Sequence, residues 1–293
     1  MVGLSYADAV AIDAQLDQGQ TVTVHVVTST LSEPRITRNI IAESPTGNAD
    51  QVVVVGAHLD SVIAGPGIND NGSGSSTIPE IAEEMAELGI KNRQQVRFAF
   101  WGAEELNLLG SEHYVNTLSN AELGTIKANL NFDMLGSPNY VRFVYDGDGG
   151  GDPDAAGPPG SAQIEALFND YFASQGLATD PTPFDGRSDY GPFIAVGIPA
   201  GGLFSGAEGE KTVEQAAIDG GTAGQPYDPC YHEGCDDINN LSTKALAELG
   251  DSAAHATMTL ARSRTGFFED GSFRTPARAG LSAQRSFSSQ SAA

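Results

Sequence analysis

Gln51-Val-Val-Val-Val-Gly-Ala-His58-Leu-Asp60 is a β-branched run that ends in a histidine and an aspartate. An uninterrupted apolar run of this length predicts a strand buried on both faces, as in a parallel sheet covered by helices. Polar residues directly after such a strand lie at its carboxyl end, where the sites of open α/β sheets form. The stretch therefore predicts both the class of fold and the place of a site.

Strand and helix patterns alternate on both sides of this run. We predict strands over 21–28, 38–42, 51–57, 96–101, 130–134 and 141–145. We predict helices that enter through 72–74 and stop at 89, and over 110–118, 120–127, 163–174 and 242–262, the last capped by Ser242. Strands alternating with helices predict a three-layer α/β/α sandwich with a mixed, largely parallel central sheet.

The composition excludes several classes of protein. The 293 residues include 38 acidic and 15 basic side chains, a formal net charge of -23, so nucleic acid is not expected as a partner. Hydrophobic residues make up 40% of the chain, enough for a large core. No apolar run approaches the roughly 20 residues of a membrane span, so no membrane partner is expected either.

The only two cysteines, Cys230 and Cys235, are five positions apart. This spacing permits a small disulfide loop, which would indicate an oxidising compartment. Zinc ligation by both thiolates is the alternative, although thiolates beside many oxygen ligands would be unusual. Met1 is not followed by a signal-peptide pattern; if the protein is secreted, as an oxidising compartment would imply, its export signal is expected upstream of, or missing from, this chain.

The stretch 146–160 is rich in glycine, proline and aspartate and predicts a loop. Its four aspartates, Asp146, Asp148, Asp152 and Asp154, can hold a calcium ion in principle, but their spacing is not that of an EF-hand. We expect a solvated acidic loop, with calcium unsupported.

Histidines and carboxylates follow the predicted strands and one Gly-rich turn. They are His58, Asp60, Asp70, Glu104, Glu105, Asp133 and His232. Gathered at one sheet edge, these groups would repel one another without a counter-charge. Two divalent cations would balance the three carboxylates of Asp70, Glu105 and Asp133, and mixed nitrogen and oxygen ligands suit zinc, with manganese or cobalt as substitutes. Asp60 is expected to accept the other ring N–H of His58.

Seven short blocks carry a resemblance to a known family. They are Val55-Gly-Ala-His58-Leu-Asp60-Ser, Gly67-Ile-Asn-Asp-Asn-Gly-Ser-Gly74, Trp101-Gly-Ala-Glu-Glu105, Asn131-Phe-Asp-Met134, Gly186-Arg-Ser-Asp189, Gly201-Gly-Leu-Phe204 and Cys230-Tyr-His-Glu-Gly-Cys235. Over about residues 38–262 the chain resembles the bacterial secreted leucyl-type dizinc aminopeptidases. The resemblance implies the zinc-exopeptidase fold, which is phosphorylase/hydrolase-like.

The resemblance also implies a role for each matching residue. His58 and Asp133 would hold one zinc ion, Glu105 and His232 the other, and Asp70 would bridge both. Glu104 would be the general base, and Tyr231 would donate its hydroxyl to the developing oxyanion. Arg187 would lie near the substrate, Met134 and Phe204 would line the apolar pocket, a Cys230–Cys235 disulfide would form part of its wall, and the Asp70–Asn71 peptide bond would be cis.

The two ends of the chain depart from the family pattern. Residues 1–36 resemble the closing segment of a protease-associated domain inserted in longer relatives, and we expect a remnant of that domain there. Residues 37–264 are expected to form the catalytic domain, and 265–293 a flexible tail. The chain would then be a fragment without the family's leading helices.

The resemblance implies an aminopeptidase that acts on peptides with a free amino end and prefers apolar first residues. A carboxypeptidase or small-molecule deacylase on the same scaffold is the alternative, but it would need a basic cluster for a terminal carboxylate. A one-zinc glutaminyl cyclase relative and a catalytically inactive binding domain are disfavoured, because every ligand position is kept.

Overall fold

A mixed sheet of seven strands forms the centre of residues 37–264. This computed structural model covers residues 3–31, 33–151 and 156–264. The strands are β1 Ile40–Glu43, β2 Asn48–His58, β3 Gln94–Trp101, β4 Ile126–Phe132, β5 Phe143–Tyr145, β6 Asp180–Thr182 and β7 Ala200–Phe204. Their order is β1-β3-β2-β4-β7-β5-β6. The pairs β3-β2, β2-β4, β4-β7 and β5-β6 are parallel, whereas β1-β3 and β7-β5 are antiparallel.

Helix α1 Tyr6–Asp17 precedes the first strand. The helices after it are α2 Gly72–Glu87, α3 Leu109–Thr117, α4 Asn120–Thr125, α5 Ser161–Ser174, α6 Gly191–Ala195, α7 Val213–Asp219 and α8 Thr243–Arg262. Residues of α2, α5 and α8 cover one face of the sheet, and residues of α3, α4 and α6 cover the other. No helix in the described ranges is long and apolar enough to cross a bilayer. The predicted three-layer α/β/α sandwich with a mixed, largely parallel sheet is confirmed.

Strand β2 shows why the sheet is covered twice. Val53 and Val55 belong to a core cluster that includes residues of α2, α5 and α8. Val52 and Val54 point the other way, into a cluster with residues of α3, α4 and α6. All four valines are completely buried, and each contributes about 1.5–3 kcal/mol by burial. The continuous apolar run was therefore a correct indication of a strand between two helical layers.

Helix α8 begins where its cap predicts. The Ser242 hydroxyl accepts a hydrogen bond from the backbone N–H of Ala245 at 3.2 Å, which satisfies one of the free donors of the first turn. Leu249, Ala253 and Leu260 lie on its buried face and join the larger core cluster. The sequence prediction of this helix is confirmed.

The chain divides into two units, with the boundary between Ile36 and Thr37. In the first unit α1 is followed by irregular, mostly exposed chain, so the strand predicted over 21–28 is wrong. A strand needs a partner for its backbone hydrogen bonds and a face to bury, and the described residues 3–31 and 33–36 contain no second strand. The assignment of this unit as a domain remnant stays a prediction, and residues 265–293 lie outside the described part.

Candidate metal centre

Three adjacent parallel strands bring the predicted ligands to one edge of the sheet. His58 is the last residue of β2 and pairs with Trp101 at the end of β3. Glu104 and Glu105 follow β3 after a short turn, and Asp133 directly follows β4. Because β3, β2 and β4 run in the same direction, these side chains lie side by side at the carboxyl edge, as the sequence indicates.

Two groups of possible metal ligands share the carboxylate of Asp70. In the first group, His58 Nε2 lies 3.2 Å from Asp70 Oδ1 and 3.2 Å from Asp133 Oδ1. In the second, His232 Nε2 lies 3.3 Å from Asp70 Oδ2 and 3.0 Å from Glu105 Oε2. One oxygen of Asp70 therefore faces each group, which is the arrangement of a bridging carboxylate.

These distances fit zinc. Tetrahedral coordination with bonds of about 2.0–2.1 Å places neighbouring ligand atoms about 3.3 Å apart, and the closest ligand pairs here are 3.0–3.3 Å apart. In each group one atom per residue lies within 4.8 Å of the others. The buried Oε1 of Glu105 has no hydrogen-bond partner in the described structure, so it too is available to a cation.

Burial and mutual repulsion disfavour the ionised forms of the two glutamates in this centre. Burial raises the pKa of Glu104 to about 10; His58 opposes the shift, whereas Asp133 adds to it. Burial, followed by repulsion from Asp70, raises the pKa of Glu105 to about 7. Burial alone would raise the pKa of Asp70, but hydrogen bonds to the two histidines lower it to about 2. Bound cations relieve such crowding, because positive charge stabilises ionised carboxylates.

Both histidines are drawn towards the protonated form by their neighbours. Burial lowers the pKa of His58, but the charge of Asp133 and hydrogen bonds to Asp133 and Asp70 more than reverse this, so its pKa is raised well above the usual value. The hydrogen bond to Asp70 is the largest cause of the raised pKa of His232. A metal ligand must be the neutral ring, so a cation would compete with these protons.

Asp60 supports the centre in a different way from the one predicted. The ring N–H at Nδ1 of His58 donates to the backbone carbonyl of Asp60 at 3.0 Å, whereas the nearer carboxylate oxygen is 3.8 Å away. The carboxylate instead accepts the backbone N–H groups of Glu104 at 2.9 Å and Glu105 at 3.2 Å. The His58 ring already has a partner in the backbone carbonyl, whereas the two backbone N–H groups would otherwise be without one. The Asp60 carboxylate therefore orients the turn that carries both glutamates.

The loop that carries Asp70 is fixed from two sides. The carboxylate of Asp236 accepts the backbone N–H groups of Asn69 at 2.9 Å and Asp70 at 3.0 Å. The peptide bond between Asp70 and Asn71 is cis. A side chain at Gly74 would place its Cβ 2.2 Å from the carbonyl oxygen of Phe132, so only glycine lets α2 start this close to the end of β4.

A small cavity of about 70 Å³ opens beside the two groups. It is lined by Asp70, Glu104, Glu105, Asp133, Met134, Tyr145, Thr182, Pro183, Asp185, Arg187, Ser188, Phe204, Ala207, Tyr231 and His232. Every residue to which the resemblance assigned a ligand, catalytic or substrate contact lies here except His58, which is buried behind Asp70 and Asp133. Cys230 and Cys235 form a disulfide that closes the loop carrying Tyr231 and His232.

Tyr231 is held over the second group. Its ring stacks on that of His232, with centroids 3.8 Å apart, and its hydroxyl accepts a hydrogen bond from Arg187 Nη2 at 3.1 Å. Burial raises the pKa of the Tyr231 hydroxyl, and Arg187 opposes this shift only in part. The hydroxyl therefore keeps its proton at neutral pH and can donate it into the cavity.

Two residues of this site were missed in the sequence. The Ser188 hydroxyl donates to Asp133 Oδ2 at 2.7 Å, and the Glu208 carboxylate accepts two hydrogen bonds from Arg187, at 2.9 and 3.2 Å. Ser188 lies inside one of the resembling blocks and was within reach of sequence reasoning. Glu208 lies beyond the block that ends at Phe204, and no local pattern marks it.

A third group of possible metal ligands lies in the acidic loop. Asp146, Asp148 and Glu165 each offer an oxygen within 4.8 Å of the others. Their carboxylates also accept backbone N–H groups of 147–151, including that of Gly149 at 2.7 Å from Asp146. Asp152 and Asp154 lie outside the described residues. Acidic groups of this kind are common without an ion, so no calcium site is proposed.

The sequence of residues 39–257 matches the model of Peptidase family M28. The chain belongs to Peptidase family M28. The resemblance seen in the seven blocks is thus confirmed.

Relatives and solved structures that are similar to this chain include several aminopeptidases. An aminopeptidase of Pseudomonas aeruginosa is 52% identical over 240 residues, which cover 82% of this chain and 44% of that protein. A probable leucine aminopeptidase 2 of Arthroderma benhamiae is 47% identical over 266 residues, 90% of this chain and 53% of that protein. The structure of a zinc aminopeptidase from Bacillus subtilis is similar, with a TM-score of 0.63 and 29% identity, over 80% of this chain and 53% of that one. The chain spans about half the length of these relatives.

Proposed function

We propose that this chain is the catalytic part of a secreted two-zinc aminopeptidase that removes apolar first residues from peptides. The observation that carries the proposal is the carboxylate of Asp70, whose two oxygens face two separate histidine-carboxylate groups. The M28 membership and the aminopeptidase relatives support the same reading.

In this proposal His58 and Asp133 would hold one zinc ion, Glu105 and His232 would hold the other, and Asp70 would contribute to both sites. Paired zinc ions polarise a scissile carbonyl and lower the pKa of water. The protein supplies the fixed positions: His58 is oriented by the Asp60 carbonyl, and Asp133 by the Ser188 hydroxyl.

Glu104 is the proposed general base. It lines the cavity, is 8% exposed and belongs to neither ligand group. Its carboxylate can take a proton from the attacking water and pass it to the leaving amine. The backbone N–H of Glu104 donates to Asp60, so the turn that aims this side chain is held in place.

Tyr231 is the proposed donor to the oxyanion. Its oxygen already accepts a hydrogen bond from Arg187, so its own O–H proton is free for a substrate oxygen. A neutral hydroxyl placed before the reaction begins can stabilise charge that develops in the transition state.

The electrostatics favour the amino end of a peptide over the carboxyl end. The cavity is lined by several carboxylates, and Arg187 is its only lysine or arginine among the described residues. The two terminal nitrogens of Arg187 each donate to Glu208, so its charge is already paired, whereas a carboxypeptidase would require an unpaired cation for the terminal carboxylate. Met134 and Phe204 supply the apolar wall for a first side chain.

The disulfide between Cys230 and Cys235 supports a secreted protein, because such bonds persist in oxidising compartments. The net charge of -23 supports peptides rather than nucleic acid as partners.

Hydrolysis of L-leucinamide by the zinc-loaded protein tests the proposal. We expect turnover that a chelator abolishes and zinc restores, with two zinc ions bound per chain. Glu104→Ala should lower the rate by about 10²–10⁴-fold without changing the zinc content. Glu87→Ala, an exposed glutamate of α2, is the matched control and should remain fully active.

Loss of zinc from Glu104→Ala would show that Glu104 is a ligand and not the base. No turnover after zinc is restored would favour a binding role and overturn the proposal.

A further inference from the structure

We infer that Glu208 is a positioning residue, which holds Arg187 so that the Tyr231 hydroxyl stays aimed into the cavity. The inference rests on the proposed function, because it assigns Tyr231 the role of oxyanion donor. Glu208 does not line the cavity, so it would act only through Arg187.

The three side chains form a chain of contacts that ends at a proposed zinc ligand. Arg187 Nη1 donates to Glu208 Oε1 at 2.9 Å, and Nη2 donates to Glu208 Oε2 at 3.2 Å. The same Nη2 donates to Tyr231 Oη at 3.1 Å. Tyr231 in turn stacks on His232.

Arg187 needs such a partner because it is not fixed by burial. Its side chain is 53% exposed and that of Glu208 is 57% exposed. A free arginine side chain has several rotatable bonds, whereas two parallel hydrogen bonds to one carboxylate hold the planar guanidinium in a single orientation. With Glu208 in place, Nη2 is kept within reach of the tyrosine.

The direction of the hydrogen bond from Arg187 determines what Tyr231 can do. Arginine can only donate, so Tyr231 Oη is the acceptor and its O–H proton must point elsewhere. If Arg187 did not donate to Tyr231, the hydroxyl would be free to rotate. In part of the population its lone pairs, and not its proton, would then face the cavity. The expected loss is in the transition state rather than in substrate binding.

A purely structural role makes a different prediction. An exposed ion pair contributes little to stability, so in that case removing the Glu208 charge would leave catalysis unchanged.

The test compares four zinc-loaded proteins on L-leucinamide: the parent, Glu208→Gln, Arg187→Ala and the double variant. We expect Glu208→Gln to lower kcat about tenfold, equivalent to about 1.4 kcal/mol, with KM and the melting temperature close to those of the parent. In the Arg187→Ala background the same substitution should cause no further loss, since Glu208 acts through Arg187. Glu210→Gln changes the same charge at an exposed neighbour and should leave kcat unchanged.

Parent-like kcat in Glu208→Gln, or losses that multiply in the double variant, would overturn the positioning role. Absence of turnover by the parent would instead overturn the proposed function.

Discussion

Arg142 provides the most direct test of how the wall of the site is held. Its side chain is 4% exposed and forms ion pairs with Asp219, also 4% exposed, and with Glu248. Arg142 Nε donates to Glu248 Oε2 at 2.8 Å, and the Tyr140 hydroxyl donates to the same oxygen at 2.8 Å. These contacts connect Arg142, which directly precedes β5, to the last residue of α7 and to the second turn of α8.

Arg142→Met would keep most of the side-chain volume and leave the buried carboxylate of Asp219 without its cation. Removing one partner of a buried ion pair costs about 3–5 kcal/mol. For a domain of this size each kcal/mol lowers the melting temperature by about 2–4 °C. The expected decrease is therefore about 6–20 °C.

Thermal unfolding followed by circular dichroism measures this decrease. Lys244→Met is the matched control, because Lys244 is 68% exposed and pairs with Glu248 at 3.7 Å; such a pair contributes about 0–1 kcal/mol. The double variant Arg142→Met/Asp219→Asn should recover at least half of the loss, since the buried side chain at position 219 is then neutral. A melting temperature within 2 °C of the parent for Arg142→Met, or no recovery in the double variant, would refute the reasoning.

Three further outcomes are expected. In metal-free protein the raised pKa of Glu104, from 4.5 to about 10, and that of His58 contribute stability that is present at low pH and lost as the pH rises. The melting temperature of the metal-free protein should therefore decrease from pH 6 to pH 9, and a melting temperature that does not change over this range would contradict the argument. Gly74→Ala should reduce zinc content and folded yield, because the added Cβ meets the Phe132 carbonyl. Gly250→Ala, in mid-helix with no atom closer than 3.8 Å, should raise stability by about 0.4–1 kcal/mol in denaturant titrations, and a decrease would refute it.

Local patterns predicted the parts of the fold that depend on burial. The valine run of β2 indicated a strand between two helical layers because each of its faces needs apolar cover. Apolar runs likewise placed His58 and Asp133 at the ends of two strands, and the parallel pairing of these strands brings the two side chains together. The ligand assignment itself came from the resemblance.

Other parts depend on partners that are distant in sequence. Strand β7 contains Gly201 and Gly202 and has little β-propensity of its own, yet it pairs with β4 and β5 in the sheet. Residues 21–28 show the reverse case, since a good strand pattern without a partner stays irregular. The contact between Arg187 and Glu208 likewise joins two turns, and no periodicity could have predicted it.

Sharing Asp70 between the two ligand groups has a consequence for biosynthesis. The group of His58, Asp70 and Asp133 is encoded in the first half of the chain, whereas the other group is completed by His232. Domains are synthesised from the amino end at about 5–20 residues per second. A chain that has been synthesised only as far as a point before His232 would therefore contain all residues of the first group but not those of the second. On the proposed function, we expect the zinc ion of His58 and Asp133 to bind before that of Glu105 and His232 during translation or export.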